Sequence, residues 1–204
     1  MSLFGAKITA TGLAVPEQII TNQDLETMVE TSDEWIVSRT GIKERRIAAP
    51  GEGASDYAVR SARETLKKAN VEPEELDLII VATFTADSPL PATACLVQAQ
   101  LQATKAAAFD LAAGCTGFIY ALSVGSNFIQ TGMYKKVLIV GVEILSRTVN
   151  WQDRGTCVLF GDGAGAALLE STQKEEGVLS TFLGADGRFA KSLWVEAGGS
   201  KLPV

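Results

Sequence analysis

Runs of apolar residues that alternate with helical patterns constrain the fold of this chain more than any other feature of its sequence. Three runs are apolar almost throughout, as expected of strands that are covered on both faces. They are "LDLIIVAT" (76–83), "AAAFDLA" (106–112) and "KKVLIVGVE" (135–143). Helical patterns occupy residues 55–69, 91–101 and 115–132. This alternation predicts an α/β fold with a largely parallel, doubly covered sheet.

The N-terminal part carries signals for one strand and two short helices. "AKITATGLAVP" (6–16) alternates between apolar and polar residues as a strand does. A short helix is predicted over residues 22–30, with Asn22 as its N-cap. Thr31 and Glu34 have the spacing of a capping box, which predicts the start of a second short helix.

The C-terminal part is predicted to end one structural unit and begin another. "TCVLFGDGAGAALLE" (156–170) predicts two short strands joined by a glycine-rich turn. A dinucleotide-binding loop is disfavoured there, because that fingerprint requires a helix after the glycines and "AALLE" is strand-like. From Gly177, "GVLSTFLGADGRF" predicts a further strand that leads into a turn. We therefore expect residues 1–172 to form one unit and residues 173–204 to begin a second, truncated one.

Charge and hydropathy argue against two classes of protein. The chain has 24 acidic and 18 basic residues and a net charge of -6, so it lacks the basic surface that binds nucleic acid. The first residues do not have the pattern of a signal peptide. The most apolar long segment, 106–125, is interrupted by Asp110 and by glycines, which favours a buried core over a membrane span. We expect a cytoplasmic protein with no nucleic-acid or membrane partner.

The cysteines do not form a recognisable metal or disulfide framework. Cys95, Cys115 and Cys157 are widely spaced and include no CxxC pair, so no metal site is predicted. Cys95 falls on an apolar helix face and Cys157 in a predicted strand, and both are expected in the core. The chain contains no histidine. A nucleophilic cysteine here would therefore need its base from elsewhere.

Cys115 lies where a predicted strand meets a predicted helix, in "FDLAAGCTGFIYAL" (109–122). A helix N-terminus carries a partial positive charge and free N–H groups, which stabilise a thiolate and an oxyanion beside it. Gly114 and Gly117 permit a tight turn there. Cysteine is also among the most frequently buried residues, so position alone leaves a purely structural role open.

Three segments resemble the β-ketoacyl-acyl carrier protein synthase III family. "AAGCTGFIYAL" is similar to the active-site cysteine segment of that family, and two further strings match other signatures. They are "TSDEWIVSRTGIKERR" and "DRGTCVLFGDGAGAALLE". The matches occur in the family's order and extend along the chain from "ITATGLAVPE" to "GADGRF". The resemblance implies that Cys115 is the residue acylated by an acyl-CoA primer, typically acetyl-CoA.

The resemblance also implies a coenzyme A site and a dimer. Trp35 and Arg154 match the positions that sandwich the adenine, Thr31 one that forms a hydrogen bond near it, and Arg39 one that meets the phosphates. Leu90 matches a position that reaches into the acyl pocket of the second subunit of a homodimer. Acetyl-selective relatives often have an aromatic residue there, so leucine makes strict acetyl selectivity doubtful.

The implied fold is the thiolase fold, in which two βαβαβαββ halves pack as five alternating αβαβα layers. This chain would supply the first half and the opening strand of the second. The family's histidine and asparagine lie in the second, C-terminal half of the fold, with which this chain would pack. Their place there would explain why this chain has no histidine to act as the base. The implied reaction is decarboxylative condensation of acyl-Cys115 with malonyl-acyl carrier protein, with acyl-CoA as a substrate and no cofactor.

Other interpretations stay open at this point. A related condensing or acyl-transfer enzyme of secondary metabolism would use the same cysteine for a different product. A binding protein that kept the fold without activity is disfavoured by the intact "GCTGF" segment. An inactive fragment, or a piece of a nicked chain docked against its own second half, would also have this sequence.

Overall fold

The protein, described here by a computed structural model of residues 3–203, has one five-stranded sheet with helices on both faces. The strands are β1 (Gly5–Ala14), β2 (Gln18–Thr21), β3 (Glu44–Ile47), β4 (Leu78–Ala82), β5 (Ala107–Leu111), β6 (Lys136–Ile144) and β7 (Asp162–Thr172). The helices are α1 (Asn22–Glu26), α2 (Asp33–Thr40), α3 (Ala54–Ala69), α4 (Thr93–Leu101) and α5 (Gly117–Gln130).

The main sheet is mixed, with strand order β1-β7-β6-β4-β5. Strands β5, β4 and β6 are parallel, whereas β7 pairs antiparallel with both β6 and β1. The predicted parallel sheet is therefore confirmed for the three apolar runs only. Strands β2 and β3 form a separate antiparallel pair, which with α1 and α2 is inserted after β1. The sheet elements follow the order βαβαβαββ that the resemblance implies.

Successive residues of β4 point into two different hydrophobic clusters. Ile79 and Val81 pack in the cluster that includes α3 and α4, and Leu78 and Ile80 pack in the cluster that includes α5. All four are almost fully buried. Each such side chain contributes about 1.5–3 kcal/mol of transfer free energy. The double coverage explains why this strand is apolar throughout rather than alternating.

Both predicted N-caps in the inserted segment were wrong by one residue, although α1 begins at the predicted Asn22. The N-cap of α1 is Thr21, whose hydroxyl accepts from the Asp24 N–H at 3.2 Å while the Asp24 carboxylate accepts from the Thr21 N–H at 2.8 Å. The helix also ends at Glu26, before the predicted residue 30. The N-cap of α2 is Ser32, which accepts from the N–H of Trp35 at 3.1 Å. In each place a neighbouring hydroxyl satisfies the free N–H groups instead.

The glycine-rich segment at 161–166 is neither a nucleotide loop nor a turn. It runs into a single strand, β7, which is paired along its length with β6 on one side and β1 on the other. Pairing on both edges keeps the chain extended through glycines that would weaken an isolated strand. Residues 156–159 form turns and residues 160–161 have no regular structure, so the predicted pair of strands was wrong.

The strand predicted from Gly177 is also absent from the described chain. Gly177 makes only an isolated bridge to Ala6, and the N–H of Val178 donates to the carbonyl of Ala6 at 2.8 Å. Residues 179–203 are exposed almost throughout. The division at residue 172 coincides with the end of β7, and the second unit stays a prediction. Within residues 3–203, no helix is both long and apolar enough to cross a bilayer.

An ion-pair cluster at the start of α3 makes the stability of the fold depend on pH. Glu52 accepts hydrogen bonds from the Tyr57 hydroxyl and from Arg60 Nη2, the latter at 2.6 Å. These bonds, that from Tyr57 first, lower the pKa of Glu52 to about 2. Because this value lies below that of an unfolded glutamate, the stabilisation is present above about pH 4.3 and is lost as the pH falls towards about 2.

We expect Glu52→Gln to lower the melting temperature at pH 7, with the difference from the unsubstituted protein shrinking as the pH falls below about 4. Solvent screening will keep the effect small. Thermal unfolding at several pH values checks it. Glu74→Gln is the control, since Glu74 is an exposed glutamate of the short turn Pro73–Glu75 and lies outside this cluster. A difference that persists unchanged at about pH 2 would contradict this account.

Candidate active site

Cys115 lies in a single turn of 3₁₀ helix, Gly114–Thr116, between the end of β5 and the start of α5. Gly114 has a φ of 53°, in the left-handed region that favours glycine. Thr116, the N-cap of α5, makes no side-chain capping bond; its hydroxyl donates to the carbonyl of Ala113 at 2.9 Å. The predicted strand–helix junction is thus confirmed, and the thiol-bearing residue is exposed.

Glycines allow α5 to pack close against the sheet and so fix the position of Cys115. A Cβ on Gly125 would lie 3.1–3.2 Å from side chains of Val137, Ile139 and Leu169. A Cβ on Gly141 of β6 would lie 3.2 Å from the Phe118 ring. Both distances are tighter than ordinary van der Waals contact. Larger residues at either position would push α5, and the turn that precedes it, away from the strands.

Two cavities meet at Cys115. The outer cavity, of about 610 Å³, is lined mainly by the 145–160 segment and by residues 193–195, and the inner cavity, of about 240 Å³, by the ends of β4 and β6 and by Phe118. Phe84, Gly114, Cys115 and Leu145 line both. An exposed thiol between two cavities can be approached by a bound molecule from one side while an attached group occupies the other.

Glu143 is a half-buried carboxylate in the wall of the inner cavity. Its Oε1 accepts from the Phe84 N–H at 3.0 Å, and its Oε2 accepts from the Thr85 N–H at 3.1 Å and from the Thr85 hydroxyl. Burial raises the pKa of the Glu143 carboxyl, and the hydrogen bonds from Thr85 and Phe84 partly offset that rise. The carboxylate joins the loop after β4 to the end of β6.

Trp35 of α2 lies at the centre of a cationic cluster formed by Arg39 and Arg154. The guanidinium carbon of Arg39 lies 4.5 Å from the Trp35 ring centroid, and that of Arg154 lies 5.0 Å from it. Arg154 Nη1 donates to the carbonyl of Glu30 at 2.8 Å. The Thr31 hydroxyl oxygen, just before α2, is buried without a hydrogen-bond partner within residues 3–203. The structure thus brings Trp35, Arg39 and Arg154 together, as the resemblance implies.

The cationic cluster and the outer cavity adjoin the same segment of chain. Asp153 and Thr156 line the outer cavity and flank Arg154 in sequence, and the Thr156 hydroxyl donates to Asp153 Oδ2 at 2.8 Å. Trp35 also packs against the hydrophobic cluster that contains Cys157 and Val158. A ligand held at Trp35 could therefore extend along the 153–156 turn towards Cys115.

Leu90 is not part of the cavities at Cys115. It lies in the loop between β4 and α4 and is 85% exposed. This side chain contributes nothing to the lining of either cavity within the described part of the chain.

Of the two cysteines predicted to lie in the core, one is buried and one is exposed. Cys157 is buried, although in a turn rather than in a strand. Cys95, expected in the core, is exposed, because α4 buries Ala94 and Val97 on its sheet-facing side and leaves Cys95 outward. No group of three or more His, Cys, Asp or Glu side chains within residues 3–203 is arranged to hold a metal ion.

Three residues that line the site were not predicted from the sequence: Phe84, Glu143 and Leu145. All three lie at or just after the carboxyl ends of β4 and β6, which are neighbouring strands in the parallel set that also contains β5, the strand leading to Cys115. Ligands in α/β proteins bind beyond the carboxyl ends of parallel strands. That rule, applied to the polar residues after each apolar run, would have found Glu143 and the Thr83–Thr85 segment.

Comparison with known proteins confirms the resemblance to the synthase III family. Residues 109–187 match the family model of 3-oxoacyl-[acyl-carrier-protein (ACP)] synthase III. The chain is 56% identical over 199 residues to the β-ketoacyl-[acyl-carrier-protein] synthase III of Caldanaerobacter subterraneus, covering 98% of this chain and 60% of that protein. It is 59% identical over 197 residues to that of Symbiobacterium thermophilum, with 97% and 60% covered.

A solved structure agrees with the fold. The synthase III of Thermus thermophilus superposes with a TM-score of 0.88 at 49% identity, covering 92% of this chain and 58% of that one. The thiolase-like α/β fold is therefore shown. The chain spans about 60% of the length of the curated relatives it matches.

The exposure of the three thiols predicts their order of alkylation. We expect iodoacetamide to modify Cys115 and Cys95 in the folded protein and to leave Cys157 unmodified until denaturant is added, because Cys157 is 0% exposed. Peptide mapping by mass spectrometry after a short exposure measures this. Rapid native labelling of Cys157, or protection of Cys115 in the ligand-free protein, would contradict the described site.

Proposed function

We propose that this homologue of β-ketoacyl-acyl carrier protein synthase III carries the nucleophile of a condensing enzyme that initiates fatty acid biosynthesis. The observation that carries the proposal is the exposed Cys115 at the start of α5, where two cavities meet. The resemblance of the surrounding segment to the family's active-site cysteine supports the same role. The substrates proposed are an acyl-CoA primer, acetyl-CoA among them, and malonyl-acyl carrier protein.

The chemistry proceeds in two transfers. The Cys115 thiolate attacks the thioester carbonyl of acyl-CoA; a new S–C bond forms, and coenzyme A leaves as a thiolate that takes up a proton. Malonyl-acyl carrier protein then loses CO₂, and the resulting carbanion attacks the acyl carbon and expels Cys115. The partial positive charge at the start of α5 stabilises the thiolate in both steps. The uncapped N–H groups there are candidates to hold the oxyanion.

Coenzyme A is proposed to bind across the cationic cluster, with its adenine between Trp35 and Arg154 and its phosphates near Arg39. A base stacked between two planes needs about 7 Å, two contacts of about 3.5 Å each. Arg154 lies only 5.0 Å from the Trp35 centroid. The guanidinium must therefore swing outward and release the Glu30 carbonyl when the adenine enters. The unpaired Thr31 hydroxyl is available to the same ligand.

The rest of the catalytic apparatus is proposed to lie outside these residues. The chain has no histidine, and the resemblance assigns the family's histidine and asparagine to the C-terminal half of the fold. We infer that this half packs with residues 1–172 to complete the site. The exposed Leu90 is proposed to enter the acyl pocket of a second subunit in a homodimer. No metal or redox cofactor takes part in either transfer as written.

The cytoplasm is the proposed location. The three cysteines are all free thiols, which supports a reducing compartment. Both proposed substrates are metabolites or carriers that a cytoplasmic enzyme meets.

Replacement of the nucleophile gives the direct test of this function. We expect Cys115→Ala in the native protein to abolish formation of the 3-ketoacyl product from acetyl-CoA and malonyl-acyl carrier protein. Cys95→Ala, a substitution at the other exposed thiol, is the matched control and should retain activity. Product formation is followed by mass spectrometry of the carrier protein. Equal activity of both variants would show that Cys115 is not the nucleophile.

The adenine site is tested by a substrate that lacks adenine. Because one stacked base is worth about 1–3 kcal/mol, we expect Trp35→Ala to raise the KM for acetyl-CoA by about 5- to 150-fold. The KM for acetyl-pantetheine, which has no adenine, should change little. Initial rates of coenzyme or pantetheine release measure both constants. An equal rise for the two substrates would indicate that Trp35 acts only through the packing of α2.

A further inference from the structure

The loop that follows β4 is tied to the end of β6 by a compact set of hydrogen bonds. Glu143 accepts from the N–H groups of Phe84 and Thr85, from the Thr85 hydroxyl, and from the Thr83 hydroxyl at 3.4 Å. The Thr85 hydroxyl also accepts from the Ile144 N–H at 2.8 Å. Both carboxylate oxygens of Glu143 are thereby occupied by groups of this loop.

Phe84, the residue at the middle of this loop, lines both cavities. Phe84 is 44% exposed, so packing alone confines its side chain only in part. Its backbone N–H is held directly by Glu143, and the residues before and after it are held by the same carboxylate. The direction of the Phe84 side chain therefore depends on a bond network that spans 59 residues of sequence.

The inner cavity is small enough for the position of its wall to affect which acyl groups fit. It has a volume of about 240 Å³, and Phe84 and Phe118 line it beside Cys115. A pocket of fixed walls discriminates acyl chains by one or two methylene groups, whereas a mobile wall admits larger ones. A residue that keeps Phe84 in one orientation would consequently act on chain length without touching the reacting atoms.

We propose that Glu143 is a positioning residue that holds the Thr83–Thr85 loop so that Phe84 forms a fixed wall of the inner cavity beside Cys115. The acyl group on Cys115 would occupy this cavity. This inference rests on the proposed acylation of Cys115 by acyl-CoA. It assigns Glu143 a role in primer selection and none in bond making. Loss of these hydrogen bonds should raise the rate at which larger primers acylate Cys115, relative to the rate with acetyl-CoA.

Glu143→Gln and Thr85→Val are the variants that test the tether. The first replaces one acceptor oxygen by an N–H₂ group that faces donors, and the second removes the hydroxyl that links Glu143 to Ile144 at nearly constant volume. We measure acylation of Cys115 in the native protein with acetyl-CoA and with a branched five-carbon acyl-CoA. The ratio of the branched to the acetyl rate should rise about tenfold in each variant.

Two controls separate positioning from general destabilisation. Glu170→Gln changes another half-buried glutamate at the opposite end of the same strand pair, and should leave the ratio unchanged. The rate of Cys115 alkylation by iodoacetamide, which needs no acyl cavity, should stay within about twofold of the unsubstituted protein in every variant. In a double-mutant cycle, Glu143→Gln should add nothing to the ratio already raised by Phe84→Ala.

The outcomes distinguish this inference from the function on which it rests. If the unsubstituted protein takes no acyl group on Cys115 from either substrate, the proposed function fails. If Cys115 is acylated but Glu143→Gln and Thr85→Val lower both rates equally, Glu143 has only a structural role and the inference is wrong. Should Glu143→Gln fail to fold, an unchanged ratio in Thr85→Val alone overturns it.

Discussion

The close seating of α5 on the central sheet is the constraint on which the rest of the structure depends. At Gly125 and Gly141 a Cβ would lie only 3.1–3.2 Å from its neighbours between helix and strands, and the alternating side chains of β4 fill the clusters on both faces. Packing as dense as this holds the helix and the sheet in fixed positions relative to each other. Cys115 takes its position from that rigidity, because it occupies the turn through which the chain passes from sheet to helix.

The site combines two parts with different freedom to move. The thiol and the carboxyl ends of β4 and β6 belong to the sheet, whereas Arg154 lies in a turn and is held by one carbonyl bond besides its contact with Trp35. A ligand that enters between Trp35 and Arg154 exchanges those contacts for its own. We therefore propose a preformed nucleophile beside a coenzyme site that opens on binding.

Sequence patterns predicted the elements whose signals are local. Helix α3 and the three parallel strands were found because their periodicity or continuous burial is strong. Strand β7 was split in error, because its glycines are kept extended by pairing with β1 and β6, which no local pattern records. Cys115 was predicted to be the nucleophile from its motif, and the structure places it at the predicted junction of strand and helix. The tether from Glu143 to Phe84 joins residues 59 positions apart and could be seen only once the sheet placed them side by side.

The central claim is that Cys115 accepts an acyl group, and intact-protein mass spectrometry of the native protein before and after addition of acetyl-CoA tests it most directly. The account predicts the gain of one acetyl group, which peptide mapping locates on Cys115 and which prior alkylation of that thiol prevents. An unchanged mass, or an acetyl group found on Cys95 instead, would contradict it.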